Sequence, residues 1–288
     1  MTEIEQYVSP SSLEQAADYL RAGEVTLLAG GTDLMPQSQG ARLRIKRTLM
    51  NICHIPELKG ITIDGGAIRI GALATVTELM QNEIVNRHLP VLVEACDHFA
   101  SDQIRNVATL GGNLCNASPA GDLLIPLLVM DAGVELASKP DGSLVRRSLP
   151  LADFFIGPGK TRRDPAELVT GVLVALPGAH HYARFFKFGT RPALDISTIA
   201  IGIAGTLNDG ALSNARVAFG AVAPVPMRAP RTEGALNGKR LDAATMEAVA
   251  NVARDEVTPI DDVRASAWYR KQLIHNITKR MLAHVAQA

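Results

Sequence analysis

The chain has 288 residues, which is long for one average domain and typical of two. Hydrophobic residues make up 47 % and charged residues 20 %, so a disordered or fibrous protein is excluded. The 29 basic and 29 acidic residues balance, which argues against nucleic-acid binding. No apolar run reaches the roughly 18 to 20 residues of a membrane span, and the acidic N-terminus lacks the layout of a signal peptide. We therefore expect a cytoplasmic protein.

Cysteine usage limits which cofactors the chain can hold. The three cysteines, Cys53, Cys96 and Cys115, are far apart in the sequence. An odd and sparse set fits a reducing compartment better than a disulfide framework. Three thiols also fall short of the four that a standard iron–sulfur cluster needs. Any such cluster is expected on another chain.

The first half of the chain mixes predicted helices, strands and clustered glycines. Ser11 and Glu14 have the spacing of a capping box, which predicts a helix that starts there. Alternating isoleucines around Asp64-Gly65-Gly66 predict a hairpin. In chain order, the sequence predicts this capped helix, a strand over 25–29, the hairpin over 61–70, helices opened by Thr75 and Pro90, and strands over 133–137 and 168–175.

The composition changes near residue 178, where Pro177-Gly178 predicts a turn and a domain boundary. Further on, Asn208-Asp209-Gly210 is a strong hairpin signal. The pattern indicates an α+β protein in two parts, 1–178 and 179–288. The elements predicted in the second part are strands over 196–207 and 211–223, a helix capped by Asp242 that runs to about Glu256, and a last helix that begins near Ser266.

The segment Leu28-Ala29-Gly30-Gly31-Thr32-Asp33-Leu34 is the first candidate site, because a buried strand breaks there into paired glycines. Such a pair lets the backbone approach a ligand closely and presents successive N–H groups, which suits a pyrophosphate. The structural alternative is a plain turn that ends the strand, with Thr32 as a helix cap. The segment alone leaves both interpretations open.

The segment Thr109-Leu110-Gly111-Gly112-Asn113 is the second candidate, a further glycine pair between hydrogen-bonding side chains. Asp122 follows it, and a carboxylate suits ribose hydroxyls but repels phosphate. The alternative is that Asp122 only caps a helix over 123–130. Since two such elements rarely occur together by chance, we expect the backbone amides of both glycine pairs to converge on one dinucleotide.

At these residues the chain resembles, over its whole length, the FAD-binding medium subunit of the xanthine dehydrogenase and carbon monoxide dehydrogenase family of molybdenum hydroxylases. A-G-G-T-D-L and T-L-G-G-N-L are similar to the family's two FAD-contacting loops. The stretch 185–196 is similar to its K-x-x-x-R-x-x-x-D motif. The resemblance implies a vanillyl-alcohol-oxidase-type (PCMH-type) FAD-binding domain with sub-lobes of about 1–55 and 56–178. A C-terminal α+β domain with an antiparallel sheet and helices would follow.

The resemblance also implies roles for individual residues in binding FAD. The segment Ala29, Gly30, Gly31, Thr32, Asp33 and Leu34 would wrap the pyrophosphate. Thr109, Gly111, Gly112 and Asn113 would hold the diphosphate and ribityl region, and Asp122 would bond a sugar hydroxyl. The remaining implied contacts are Phe99 and Ala100 before the second loop, Val169 on the adenine or dimethylbenzene side, Lys187 near the flavin pyrimidine ring, and Ile196 as an aliphatic cover where some relatives carry tyrosine.

By the same resemblance, the protein would be an electron-transfer subunit. A large molybdopterin-binding subunit would hydroxylate the substrate, and a small [2Fe-2S] subunit would relay electrons to the FAD on this chain. The partners would form a heterotrimer, commonly doubled to (αβγ)2. No residue of this chain is then needed as a nucleophile, because the flavin carries the chemistry. Lys187 would tune the flavin by its charge; the alternative is a surface lysine at a strand end.

Two other function classes stay open at this point. One is a stand-alone FAD oxidoreductase of the same flavin-domain superfamily, which would need its own substrate pocket and proton donor. The other is a non-catalytic nucleotide-binding or scaffold protein in which both glycine pairs are ordinary turns. Purification separates the three: a yellow protein with larger partners, a yellow monomer that turns over alone, or a colourless protein.

Overall fold

The N-terminal sheet is parallel and lies beside two helices. The computed structural model describes residues 4–40, 43–191 and 193–287. The strand order is β1-β3-β2, with Leu27 paired to Met50. The elements are β1 (Gln6–Val8), α1 (Leu13–Ala22), β2 (Val25–Leu28), α2 (Leu34–Gln39), β3 (Thr48–Asn51) and a short 3-10 helix over Pro56–Leu58.

The first helix begins one residue later than its capping signal predicts. Ser12, not Ser11, is the N-cap, and its hydroxyl accepts a hydrogen bond from the N–H of Gln15. The Gln15 side chain in turn accepts from the N–H of Ser11, so Glu14 takes no part. A Ser-Ser pair offers two possible registers for the cap, and the buried face of Leu13, Ala16, Ala17 and Leu20 selects between them.

The central sheet is antiparallel and carries the predicted hairpin at one edge. Its strand order is β4-β5-β10-β6-β7. The Thr75–Glu78 capping box that the sequence predicts is present at the start of the third helix. The elements are β4 (Ile61–Asp64), β5 (Ala67–Gly71), α3 (Val76–Gln81), α4 (Glu83–His88), α5 (Pro90–Asp97), α6 (Asp102–Arg105), α7 (Leu110–Asn116), α8 (Leu124–Val129), β6 (Gly133–Ser138), β7 (Val145–Pro150), α9 (Leu151–Phe154), β8 (Phe155–Gly157), β9 (Lys160–Thr161) and β10 (Leu168–Ala175).

The C-terminal sheet is antiparallel and is covered by the last helices. Its strand order is β11-β12-β13-β14, and a short strand also pairs with β13. The hairpin turns at Asn208-Asp209-Gly210, and Asp242 and Ser266 cap the helices that the sequence predicts. The elements are β11 (His181–Phe188), β12 (Ile199–Asn208), β13 (Ala211–Gly220), β14 (Met227–Arg228), α10 (Pro230–Leu236), β15 (Lys239–Arg240), α11 (Ala243–Glu256) and α12 (Ala267–Val285).

Helix α8 joins the central and C-terminal sheets, because one hydrophobic core contains residues of both. A Cβ at Gly202 would lie 3.0 Å from Ile125 Cγ2, so the missing side chain lets β12 approach α8 closely. Ile125 and Val129 pack in the same buried cluster as Ala200 and Ala218 of the C-terminal sheet. Among the described residues, none of the helices is both long and apolar enough to span a bilayer.

Candidate cofactor site

A cavity of about 430 Å³ lies between the N-terminal sheet, helix α7 and the start of β10. Its walls bring together two segments that are about 80 residues apart in the chain, the loop after β2 and the loop before α7. The predicted site residues that line it are Ala29, Gly30, Gly31, Thr32, Asp33, Leu34, Phe99, Thr109, Gly111, Gly112, Asn113 and Val169.

The loop after β2 offers backbone donors to the cavity. Within the described residues, the N–H groups of Gly30, Gly31 and Thr32 have no protein acceptor. Gly31 adopts φ of +71°, a conformation that glycine takes without strain. Helix α2 follows, and Asp33 occupies its N-cap position. Thr32 is therefore not a helix cap, and the alternative in which it capped the helix is wrong. Three successive free donors in the wall of a cavity suit an anion such as a phosphate.

Gly30 is required for a reason that the sequence does not show. A Cβ at this position would lie 1.8 Å from the carbonyl oxygen of Val107, which no side chain tolerates. The missing side chain therefore lets the first loop pack directly on the backbone that leads into the second. The contact between Gly30 and Val107 thus brings the two glycine-containing segments together through the protein's own packing.

The second glycine pair does not supply free amides, and this part of our expectation is wrong. The Gly111 N–H donates to the carbonyl of Ala72 at 2.8 Å, and the Gly112 N–H donates to Thr109 Oγ1 at 3.0 Å. Thr109 is thus the N-cap of α7. A Cβ at Gly111 would lie 2.8 Å from that of Ala72, so close packing explains this glycine. Asn113 of the same segment also lines the cavity.

Asn113 carries an unpaired buried atom. Its Oδ1 is buried and has no hydrogen-bond partner among the described residues, although Asn113 lines the cavity. Leaving such an acceptor unpaired costs about 1 to 3 kcal/mol, so a buried polar atom of this kind normally has a partner. A bound hydroxyl or N–H group would satisfy it.

The charged residues of the cavity favour an anionic ligand. Arg44, Lys46 and Arg163 line it, whereas Asp33 is the acidic residue among its described lining. Burial raises the pKa of the Asp33 carboxyl, and a hydrogen bond from Gln37 opposes that rise. Arg44, Lys46 and Arg163 lie in segments that have no local sequence pattern, so the sequence did not predict them as site residues. Free loop amides, the unpaired Asn113 oxygen and this positive charge together fit a dinucleotide such as FAD.

Four predicted site residues, Ala100, Asp122, Lys187 and Ile196, do not line the cavity. Lys187 is not a surface lysine: its Nζ lies 2.7 Å from Asp122 Oδ2, and the two side chains are only 7 % and 10 % exposed. Ser197 Oγ donates to Asp122 Oδ1 at 2.7 Å.

The Asp122 carboxylate therefore acts within this buried cluster and not as a helix cap. Helix α8 starts after Leu123 with no side-chain cap. Burial raises the pKa of Asp122, while the Lys187 ammonium and the Ser197 hydroxyl act in the opposite direction. Both alternatives that the sequence left open for these residues, the cap and the surface lysine, are excluded by these contacts.

The end of the K-x-x-x-R-x-x-x-D motif has a structural function. Asp195 Oδ2 accepts hydrogen bonds from the N–H and hydroxyl of Thr190 and from the N–H of Arg191. Arg191 donates to the carbonyl of Leu194. The loop is thereby closed on itself and leaves Ile196 half exposed, at 51 %.

Two family models together cover nearly all of the chain. The model described as "FAD binding domain in molybdopterin dehydrogenase" matches residues 2–177. The chain belongs to this family. A second model, "CO dehydrogenase flavoprotein C-terminal domain", matches residues 184–285. The protein is thus a flavoprotein subunit of the xanthine and carbon monoxide dehydrogenase type.

Relatives of this FAD subunit match it from end to end. The xanthine dehydrogenase FAD-binding subunit of Escherichia coli O157:H7 is 35 % identical, over 100 % of this chain and 98 % of its own length. The glyceraldehyde dehydrogenase medium chain of Sulfolobus acidocaldarius is 30 % identical, over 97 % of this chain and 98 % of its own length.

Solved structures agree with the fold. A chain of carbon monoxide dehydrogenase from Hydrogenophaga pseudoflava superposes with a TM-score of 0.90 at 30 % identity, covering 96 % of this chain and 94 % of its own. A chain of quinoline 2-oxidoreductase from Pseudomonas putida 86 gives a TM-score of 0.89 at 26 % identity, with coverage of 98 % and 96 %. The FAD-binding domain followed by an antiparallel C-terminal sheet, as predicted, is confirmed.

Proposed function

We propose that this FAD subunit transfers electrons within a heteromeric molybdenum hydroxylase, from a [2Fe-2S] subunit to an external acceptor. The observation that carries the proposal is the cavity that Gly30 to Thr32, with their free amides, line together with Asn113, whose buried Oδ1 is unpaired among the described residues. Bound FAD supplies the redox chemistry, since it accepts and releases electrons, and the protein supplies binding and orientation.

The residues of the cavity divide this binding between them. The N–H groups of Gly30, Gly31 and Thr32 would donate to the diphosphate, and Asn113 would accept from a hydroxyl or ring N–H. Arg44, Lys46 and Arg163 would offset the negative charge of the phosphates. Apolar lining, including Val169, would exclude water from the rest of the cofactor. Asp122 and Ile196 remain proposed contacts of the sugar and the flavin ring.

Lys187 is proposed to raise the reduction potential of the flavin. A buried ammonium stabilises negative charge on a nearby reduced cofactor by Coulomb attraction, which is strong where water is excluded. Its ion pair with Asp122 reduces this effect, because the carboxylate holds an opposite charge 2.7 Å away. Lys187 is therefore proposed to raise the potential less than an unpaired lysine would.

The names of the relatives support the proposed partners, because several of them are medium chains or FAD subunits. We propose a large molybdopterin-binding subunit and a small [2Fe-2S] subunit, assembled as (αβγ)2 in the cytoplasm. Within this chain, we propose the boundary at residue 178. Among the described residues, no three His, Cys, Asp or Glu side chains are grouped to hold a metal.

The test is to purify the full chain alone and with the products of its neighbouring genes. We expect FAD, identified by its absorption and by chromatography after extraction, and copurification with a large molybdopterin protein and a small iron–sulfur protein. Asn113→Ala should lose FAD, whereas Asn251→Ala, outside the cavity, should keep it. A chain that reduces a substrate alone would favour the stand-alone oxidoreductase, and a colourless chain in all preparations would refute flavin binding.

A further inference from the structure

The turn over residues 97–101, which we call the Phe99 turn, contributes to the wall of the cavity through Phe99. Phe99 lines the cavity, and the next residue, Ala100, adopts φ of +41°. A residue with a Cβ is rarely found in this left-handed region, because the conformation is strained. The turn therefore persists only because other contacts hold it.

Three of those contacts come from one guanidinium, that of Arg105. Arg105 Nη1 donates to the carbonyls of Asp97 at 2.9 Å, Phe99 at 3.1 Å and Cys96 at 3.4 Å. The side chain is only 16 % exposed, and Asp102 pairs with it through Nη2. Only arginine has a planar fork that can serve a carboxylate and several carbonyls together.

A second cation holds the same turn from the C-terminal sheet. Lys187 Nζ donates to the carbonyl of His98 at 3.0 Å while it is paired with Asp122. The carbonyl before the Phe99 Cα, that of His98, is thus bound by Lys187 of β11, and the carbonyl after it, that of Phe99 itself, is bound by Arg105 of α6. The C-terminal sheet reaches the cavity wall through this contact.

We propose that Arg105 is a positioning residue for the flavin: it fixes the Phe99 turn so that the Phe99 ring forms one wall of the FAD cavity, with Lys187 as the second support. The inference rests on the proposed FAD site and adds to it a residue that does not itself line the cavity. Arg105 has no direct part in flavin binding, because it does not line the cavity and its two Nη atoms are bonded within the turn and to Asp102.

The experiment is a double-mutant cycle on the full chain with Arg105→Met, Phe99→Ala and the pair of changes together. The readouts are the dissociation constant of FAD and the visible circular dichroism of the bound flavin, which reports its surroundings. The matched control is Arg146→Met, an arginine that pairs with Glu135 outside the cavity. We expect Arg105→Met to weaken FAD binding about tenfold, which is about 1.4 kcal/mol, and to alter the dichroism.

Coupling distinguishes positioning from a general loss of stability. If Arg105 acts through Phe99, adding Arg105→Met to Phe99→Ala should weaken binding much less than it does in the native chain. Arg105→Lys should recover part of the affinity. Full additivity, or native affinity and dichroism in Arg105→Met, would overturn the inference.

Misfolding of the variant and a loss of flavin binding in the native chain can each be distinguished from a failure of the positioning role. If Arg105→Met does not fold, Arg105→Gln keeps an amide donor but loses the fork, and the same criteria apply to it. If the native chain and Arg146→Met both fail to bind FAD, the proposed function itself fails, which is distinct from a failure of the positioning role.

Discussion

Lys187 of β11 and Asp122 of the loop before α8 form a buried ion pair, with Nζ 2.7 Å from Oδ2. Residues 65 positions apart in the chain are thereby joined across the contact between the central and C-terminal sheets. Ser197 donates to the other carboxylate oxygen, and His98 accepts from the ammonium, so each charge has more than one partner. Satisfied in this way, a buried pair can be retained despite its desolvation penalty.

The first prediction concerns the flavin potential. Asp122→Asn leaves the Lys187 ammonium without its counter-charge, so the two-electron potential of bound FAD should rise by about 30 mV, equivalent to about 1.4 kcal/mol. Lys187→Met leaves a carboxylate and should lower the potential at pH 8. Redox titration with reference dyes measures both. Equal potentials in all three proteins would show that the pair lies too far from the flavin to act on it.

The stability of the same variants provides a control for the redox measurement. Each single change should also destabilise the fold by about 3 to 5 kcal/mol, because one buried charge remains unpaired. The double variant Lys187→Met/Asp122→Asn removes both charges. It should therefore regain much of the lost stability, and its flavin potential should be intermediate. Chemical denaturation of the flavin-bound proteins checks the stability effects separately from the redox effects.

The second prediction concerns the contact between the two loops. Gly30→Ala places a Cβ 1.8 Å from the Val107 carbonyl oxygen, so one loop must move. We expect a loss of about 1 to 3 kcal/mol of stability and little or no bound FAD. Gly234→Ala in α10 is the matched control, because a Cβ there would meet no atom within 4 Å beyond its chain neighbours and its own helix backbone, and alanine favours a helix. Full flavin occupancy in Gly30→Ala would contradict the role of this contact.

The sequence predicted elements well where a local signal exists. The Asn208-Asp209-Gly210 turn, the Thr75–Glu78 capping box and the caps at Asp242 and Ser266 depend on neighbouring residues, and the structure contains all of them. Most residues of the two glycine segments also line one cavity, as the resemblance implies.

What the sequence could not predict depends on long-range contacts. The paired glycines suggested amides that face a ligand, but Gly111 and Gly112 donate within the protein, and Gly30 is needed for its contact with Val107. Lys187 pairs with Asp122, which lies 65 positions before it, whereas the K-x-x-x-R-x-x-x-D motif extends only from Lys187 to Asp195. The motif therefore could not predict this partner. The cationic residues of the cavity, such as Arg163, carry no local pattern at all.

The third prediction uses Cys115 as a reporter of cavity occupancy. Cys115 lines the cavity, and burial raises the pKa of its thiol while Arg163 opposes the rise. Since the thiolate is the reactive form, iodoacetamide should label it slowly at pH 8 in the flavin-free chain and about tenfold more slowly still with FAD bound. Mass spectrometry of peptides gives the rates. Cys53, which does not line the cavity, is the internal reference, and unchanged labelling of Cys115 in the FAD-loaded chain would refute its placement at the cofactor.

The fourth prediction concerns acid stability at the edge of the central sheet. Arg147 of β7 binds both oxygens of Glu167, at 2.5 and 2.7 Å, and the N–H of Asp164 adds a third hydrogen bond. Burial alone would raise the pKa of Glu167, but these partners outweigh it and hold the pKa below its usual range. A carboxylate with a depressed pKa stabilises the fold above its unfolded-state pKa, and that contribution disappears as the pH falls through the folded-state value.

Glu167→Gln should therefore cost about 1 to 2 kcal/mol of unfolding free energy at pH 7 and progressively less as the pH drops below about 4.5, so that the native and variant stability curves converge in acid. Urea denaturation of the two proteins between pH 3 and pH 7 measures the difference. The comparison variant is Asp255→Asn, whose pairing with Arg254 on the exposed surface of α11 is screened by solvent and should contribute little at any pH. A constant gap between native and Glu167→Gln across the whole range would mean that packing, and not the charge of Glu167, holds β7 to the start of β10.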